Sequence, residues 1–150
     1  MNATAGELDD ARLLATASEL GVLVAKLRRR LADQASPGDF TPSQAAVLTR
    51  LLSEGPATLT TLAKAEAMRP QSMSAIISAL QAGGVVEGKP DPADGRQTIL
   101  AVTDEARERV EQARVIKNDW LFHSIRAKYT PAERAELTRG VELLQRLLEP

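Results

Sequence analysis

Apolar positions recur at helical spacing along nearly all of this chain, and the main interruption lies between Gly83 and Val102. From about Leu8 to Leu31, Leu13, Ala17, Leu20, Val24, Leu27 and Leu31 stand at alternating steps of 4 and 3, which predicts a helix with a heptad-like seam. The Arg28-Arg29-Arg30 cluster reads as its solvated last turn, where the helix dipole favours cations. After a turn at residues 35–39, Thr41-Pro42-Ser43-Gln44 is a capping-box start with proline at the first helical position. The helix it opens is expected to run to about Ser53, with Ala45, Leu48, Leu51 and Leu52 facing inward, and Glu54-Gly55-Pro56 stops it. A short extended piece, residues 57–59, leads to Thr60 as the expected N-cap of a brief helix ending near Glu66, with Leu59, Leu62 and Ala63 inward. Only Ala67, Met68 and Arg69 separate it from the next helix, which is helix-turn-helix spacing.

That next helix starts at Pro70, where a missing N–H costs nothing, and stops at Gly83-Gly84. Met73, Ile76, Ile77 and Leu80 make one buried stripe, while Gln71, Ser74, Ala75 and Ser78 leave a small, mostly polar opposite face suited to a flat partner. The helical period then gives way to a hairpin: Val85 and Val86 open one arm, Gln97 to Val102 forms the other, and Asp94-Gly95 is the turn signal. Arg96 is expected just beyond that turn, at the tip. Thr103 followed by Asp104 and Glu105 caps a long helix to about Lys128, with Ala106, Val110, Ala113, Ile116 and Trp120 as its stripe. Thr130-Pro131-Ala132-Glu133 opens a last helix whose apolar face, Leu137, Val141, Leu144 and Leu148 with Leu143 and Leu147 beside them, is wide. That face and the seam of the first helix expose more apolar surface than a small monomer tolerates, so dimerisation through both ends is expected.

Composition narrows this picture. The 150 residues are 43% hydrophobic but 3% aromatic, which fits one domain with appendages and a core of Leu, Ala, Val and Ile. With no cysteine there is no disulfide, no thiol sensor and no Cys-ligated zinc, and a reducing cytoplasm is compatible. The start, MNATAGELDDAR, has neither the basic nor the apolar region of a secretory signal, and no apolar run approaches the ~20 residues needed to span a membrane. Basic and acidic residues number five and six over 1–40, five and five over 41–103, and nine and nine over 104–150. No segment is basic overall, so a nucleic-acid binder must concentrate its positive charge locally.

Two motifs resemble chemistry without its context. Gly83 to Lys89 has P-loop spacing, but a helix precedes it, a hairpin follows, and Pro90 stands where magnesium needs a hydroxyl. Asp91 to Gly95 lacks the acid spacing and closing glutamate of a calcium loop. The single histidine, His123, has no nucleophile nearby and is expected to be packed or interfacial, and one histidine makes a structural zinc site improbable. Neither catalysis, metal nor cofactor is expected.

What remains is Met68-Arg69-Pro70-Gln71-Ser72-Met73-Ser74, the helix end Gly83-Gly84-Val85-Val86, and the tip Asp91-Pro92-Ala93-Asp94-Gly95-Arg96. These segments resemble the recognition helix and wing of the MarR family, and the helix order around them extends the resemblance over nearly the whole chain. It implies a mainly α fold with a small β-hairpin wing: a winged helix-turn-helix over residues 36–103, and dimerisation segments at 1–35 and 104–150. It further implies a cytoplasmic bacterial or archaeal homodimer that binds double-stranded DNA, with small aromatic or anionic effectors bound between dimer lobe and winged domain. The expected DNA-facing set is Arg69, Pro70, Gln71, Ser72, Ser74, Ala75, Ser78, Lys89, Asp94, Gly95 and Arg96.

Within that set, Gln71 can pair bidentately with adenine in the major groove, Lys89 can meet a phosphate, and Arg96 can enter a narrow minor groove. By resemblance, Asp94 or Asp91 orients the arginine. Trp120, Phe122 and His123 are candidates for an effector pocket, with core or dimer packing the competing role. Two positions depart from the commoner family pattern: Ala75 stands where many members carry arginine, and Gly88 where a basic residue often closes the first wing strand. A winged helix that binds protein through the same surface is the alternative those losses leave open.

Overall fold

The computed structural model describes residues 5–150. The first four residues, which open the expected 1–35 segment and the expected absence of a secretory signal, lie outside the described residues. The described residues form six α-helices and a small antiparallel sheet, in the order α1 (Ala5–Gln34), α2 (Pro42–Glu54), β1 (Ala57–Thr58), α3 (Leu59–Ala65), α4 (Pro70–Ala82), β2 (Val86–Pro90), β3 (Thr98–Val102), α5 (Asp104–Lys128) and α6 (Pro131–Gln145), with a final 3-10 turn at Arg146–Leu148. The chain divides into two compact units, residues 36–113 and residues 1–35 with 114–150.

In the unit 36–113, Val47, Leu48, Leu51, Leu62, Met73, Ile77, Leu80, Val86, Leu100 and Val102 form one buried cluster drawn from α2, α3, α4 and the sheet. The expected inward face of α2 needs correcting. Val47 is fully buried while Ala45 is exposed. Ala45 stands three residues before Leu48 and Val47 four before Leu51, so helical period permits either position on the inward face; packing of α2 on β3 and α4 selects the larger side chain. The extended piece after α2 is also more than a linker. It pairs Ala57 with Leu100 and Thr58 with Ile99, giving sheet order β1-β3-β2. The cap of α3 moves with it: Thr58 Oγ1, not Thr60, accepts the Thr61 N–H at 3.2 Å. Pairing fixes Thr58 in extended backbone, the conformation an N-cap needs.

Local chemistry closes the helix-turn-helix. Ala67 takes a left-handed conformation (φ 51°), and Met68 N–H returns to Ala63 O at 2.8 Å, so α4 starts soon after α3 stops. Arg50 on α2 holds Glu66, the C-cap of α3, at 2.7 Å and Glu54 at 2.6 Å, and these carboxylates raise its pKa. At the far end of α4, Gly84 is left-handed (φ 69°) and a Schellman pair forms: Val85 N–H to Leu80 O at 2.9 Å and Gly84 N–H to Gln81 O at 3.0 Å. Thr103 Oγ1 then donates to Gly84 O at 2.8 Å while accepting the Ala106 N–H at 3.3 Å, tying the start of α5 to the end of α4.

The helical unit is built differently. Its capping box at Thr130 and Glu133 forms, and the hydrogen bonds from the Thr130 N–H and hydroxyl hold the Glu133 carboxyl below its ordinary value. α1 continues to Gln34, so the arginine cluster is not its last turn; Arg30 stacks 5.8 Å from the Trp120 ring centroid. Of the two roles expected for His123, packed or interfacial, the packed one is absent within the single chain. The histidine is exposed, edge-on to Phe122, with Nε2 3.4 Å from Asp119 Oδ1. Leu13, Leu23, Leu27, Val141, Leu144 and Leu148 all stay exposed.

Candidate nucleic-acid interface

α4 turns Met73, Ile77 and Leu80 into the core, which leaves Gln71, Ser72, Ser74, Ala75 and Ser78 exposed on its other side. Arg69 and Pro70 stand exposed at the N-cap and first position. Fixed by a hydrophobic stripe on one side, this helix presents short side chains that allow close approach on the other.

Beyond α4, β2 and β3 pair from Val86 with Val102 to Pro90 with Thr98. The tip is a longer loop than the two-residue turn expected from Asp94-Gly95. Asp91 N–H bonds Gln97 O at 2.9 Å, and inside that closure Gln97 N–H bonds Asp94 O at 2.9 Å. Arg96 therefore lies within the turn and not beyond it, and Gly95 is not in the left-handed region that a primed hairpin turn demands. Two aspartates build the loop as Asx turns: Asp91 Oδ1 accepts the Ala93 N–H at 2.8 Å, and Asp94 Oδ1 accepts the Arg96 N–H at 3.1 Å. Asp94 thus holds Arg96 by its backbone and leaves the guanidinium on the exposed tip.

Lys89 is less free than its sequence position implies. Its ammonium sits 2.9 Å from the Glu87 carboxylate, two residues back on the same strand face, and that hydrogen bond and charge raise its pKa. Both side chains are exposed, so the pair is weak and a stronger anion can displace the glutamate.

Between α4 and the wing lies a cleft of about 710 Å³. It brings together Ser74, Ser78 and Arg96 from the expected set, while Arg69, Gln71 and Lys89 are not among its lining residues. Thr60, Thr61, Gln81, Gln97 and Thr98 also line it and were absent from the sequence-based set. Gln81 carried a usable signal, standing three residues past Ser78 on the same helical stripe. Thr60 carried none, because its reading as an N-cap masked it. Among the described residues no cluster of His, Asp or Glu could hold a metal ion, and no helix is long and apolar enough to cross a membrane.

Comparison with known proteins places this geometry. The model of the MarR family matches residues 38–97, the segment from just before α2 to the wing tip. An HTH-type transcriptional regulator of Mycobacterium tuberculosis is 35% identical over 140 residues, covering 93% of this chain and 95% of the relative. Among solved structures, a presumed transcriptional regulator from Pseudomonas aeruginosa superposes with a TM-score of 0.77 at 30% identity, over 93% of this chain and 97% of that one. A MepR F27L mutant from S. aureus, bound to an oligodeoxyribonucleotide, shares the fold with a TM-score of 0.67 at 15% identity, over 89% and 98% of the two chains.

Proposed function

From the premise that this chain belongs to the MarR family of DNA-binding transcriptional regulators, we propose that it acts as a homodimeric repressor without enzymatic activity, reading a pseudo-palindromic operator. The observation that carries this reading is the pairing of a groove-sized polar helix face with an arginine-tipped wing on one compact core. α4 enters the major groove with Gln71 at a base edge, and Arg96 enters the adjacent minor groove, where narrow A·T tracts concentrate negative potential. A dimer then spaces two half-sites about one helical turn, ~34 to 36 Å, apart. Residues 1–35 and 104–150 supply the dimerisation segments, because their exposed leucines and valines need a second apolar surface. The site of action is the bacterial or archaeal cytoplasm. A small aromatic or anionic effector that binds one dimer geometry better than another releases the operator by shifting that balance.

With Arg69, Lys89 and Arg96 as cations, a dimer neutralises about six phosphates, so log affinity falls against log salt with a slope of about −5. The test is a shift assay on DNA flanking the protein's own gene at two salt concentrations. Salt-sensitive, sequence-selective binding supports the regulator. A second reading, a winged helix that docks on protein, is favoured by one observation, the partial neutralisation of Lys89 by Glu87. Failure to bind any DNA at low salt selects that reading instead.

A further inference from the structure

The cleft between α4 and the wing has an unusual chemistry for a surface facing a polyanion. Its polar lining is almost wholly neutral: Thr60, Thr61, Ser78, Gln81 and Thr98 carry hydroxyls or an amide, and Arg96 is the cation at its rim. None of the described residues that line it is acidic. A helix in the major groove and a wing in the adjacent minor groove must straddle the strand that separates the two grooves. Whatever lies between α4 and the wing is therefore sugar-phosphate backbone.

Gly88 shows that the wall of this cleft is tightly fitted. A Cβ added there would stand 2.7 Å from Thr98 Cγ2 and 3.3 Å from Gln81 Nε2. Thr98 is β-branched on a paired strand and has little freedom to swing aside. The missing basic residue at position 88 is thus a steric exchange. Leaving out that side chain lets the Gln81 amide and the Thr98 methyl sit where a side chain at position 88 would displace them.

We infer that this cleft is a clamp of neutral hydrogen-bond donors on one strand's phosphates, in which Gln81 and Thr60 are contact residues and Gly88 positions the wall. The inference rests on the DNA-binding reading above. It accounts for how a chain of balanced charge holds a polyanion: hydroxyl and amide donors bond phosphate oxygens without displacing counterions, so they add affinity but not salt dependence.

The test uses the full-length protein and a duplex selected by the wild type from a random-sequence library, titrated across a series of potassium chloride concentrations. Gln81→Ala and Thr60→Val should each weaken binding on the order of tenfold at every salt concentration, with the slope unchanged. Arg96→Ala should make the slope shallower by about 2, one cation lost from each protomer. Thr60→Ser, which keeps the hydroxyl, should bind like wild type. Wild-type affinity for both Gln81→Ala and Thr60→Val overturns the clamp, as does a Thr60→Ser loss equal to that of Thr60→Val, which would assign the residue to packing. Melting temperatures within the wild-type range exclude misfolding of these exposed positions as the cause of a loss. Selection of no duplex at all would overturn the DNA-binding reading itself, a result distinct from normal DNA binding by the variants.

Discussion

The two units of this protein treat apolar residues in opposite ways. Among the described residues, every buried core side chain, from Val47 to Ala113, belongs to residues 36–113. Among the same residues, every large exposed hydrophobic, from Leu8 to Leu27 and from Val115 to Leu148, belongs to the helical unit. The first unit satisfies its own hydrophobic residues and keeps a polar face for a ligand. The second forms its capping box at Thr130 but leaves its apolar stripes uncovered within the single chain. Stability in the first is internal; in the second the apolar stripes stay exposed within the single chain, and the proposed dimer would cover them.

Core truncation probes the first half of that contrast. Leu51 is fully buried, so Leu51→Ala should destabilise residues 36–113 by about 2–5 kcal/mol, read as a shift in the denaturant midpoint. Leu14→Ala, at a position 74% exposed in the single chain, should cost far less. Equal costs would erase the distinction between the units.

The second half is broken by charge. Val141→Asp with Leu144→Asp should convert a dimer to a monomer in sedimentation and weaken operator binding at least ~100-fold, because two linked half-site contacts become one. A double variant that sediments as wild type would remove α6 from the interface.

On the reading surface the effects are smaller. Arg96→Ala should cost about 1–3 kcal/mol of operator affinity, more than any other single change there. Gln71→Ala should lose a smaller amount, and at one operator position only. Loss on every sequence alike would make Gln71 a positioning contact.

The smallest effect is a pH dependence in the helical unit. Glu133 has its folded pKa lowered by the Thr130 hydrogen bonds, so its contribution is fully present above the ordinary glutamate range and lost as pH falls through the lowered value. Melting curves of Glu133→Gln against wild type should converge in acid and diverge toward neutral pH. A constant difference would mean that ionisation of the carboxylate is not what the cap uses.

Much of the fold was legible in the chain because its signals are local. Capping boxes at Thr41 and Thr130, proline at the first turn of α2, α4 and α6, and Gly83-Gly84 after α4 each act on their own backbone within a few residues. The wing's Asp-x-x-Asp-Gly-Arg segment is local too, since each aspartate bonds a backbone N–H two residues ahead. Several features were not legible. Val47 replaced Ala45 in the core, Thr58 replaced Thr60 as a cap, and Lys89 proved to share its charge with Glu87. Each depends on a partner chosen in three dimensions: the sheet behind α2, the β3 strand beside residues 57–58, and the rotamers of two neighbouring side chains.

The amino-acid sequence by itself determined where α2, α4 and α6 begin, which residues the turn before α4 contains, and that the chain's terminal helices carry wide apolar stripes. Those outcomes follow from backbone hydrogen bonding and hydrophobic period, which need no distant contact. Only the tertiary structure decided that Arg96 sits inside its turn and that a glycine at position 88 makes room for Gln81 and Thr98. It also gathered Thr60, Ser78, Gln81 and Arg96 around one cleft. Residues 18 or more apart, such as Thr60 and Ser78, meet there because β1 pairs with β3 while α4 packs on the same core, a convergence no local rule encodes.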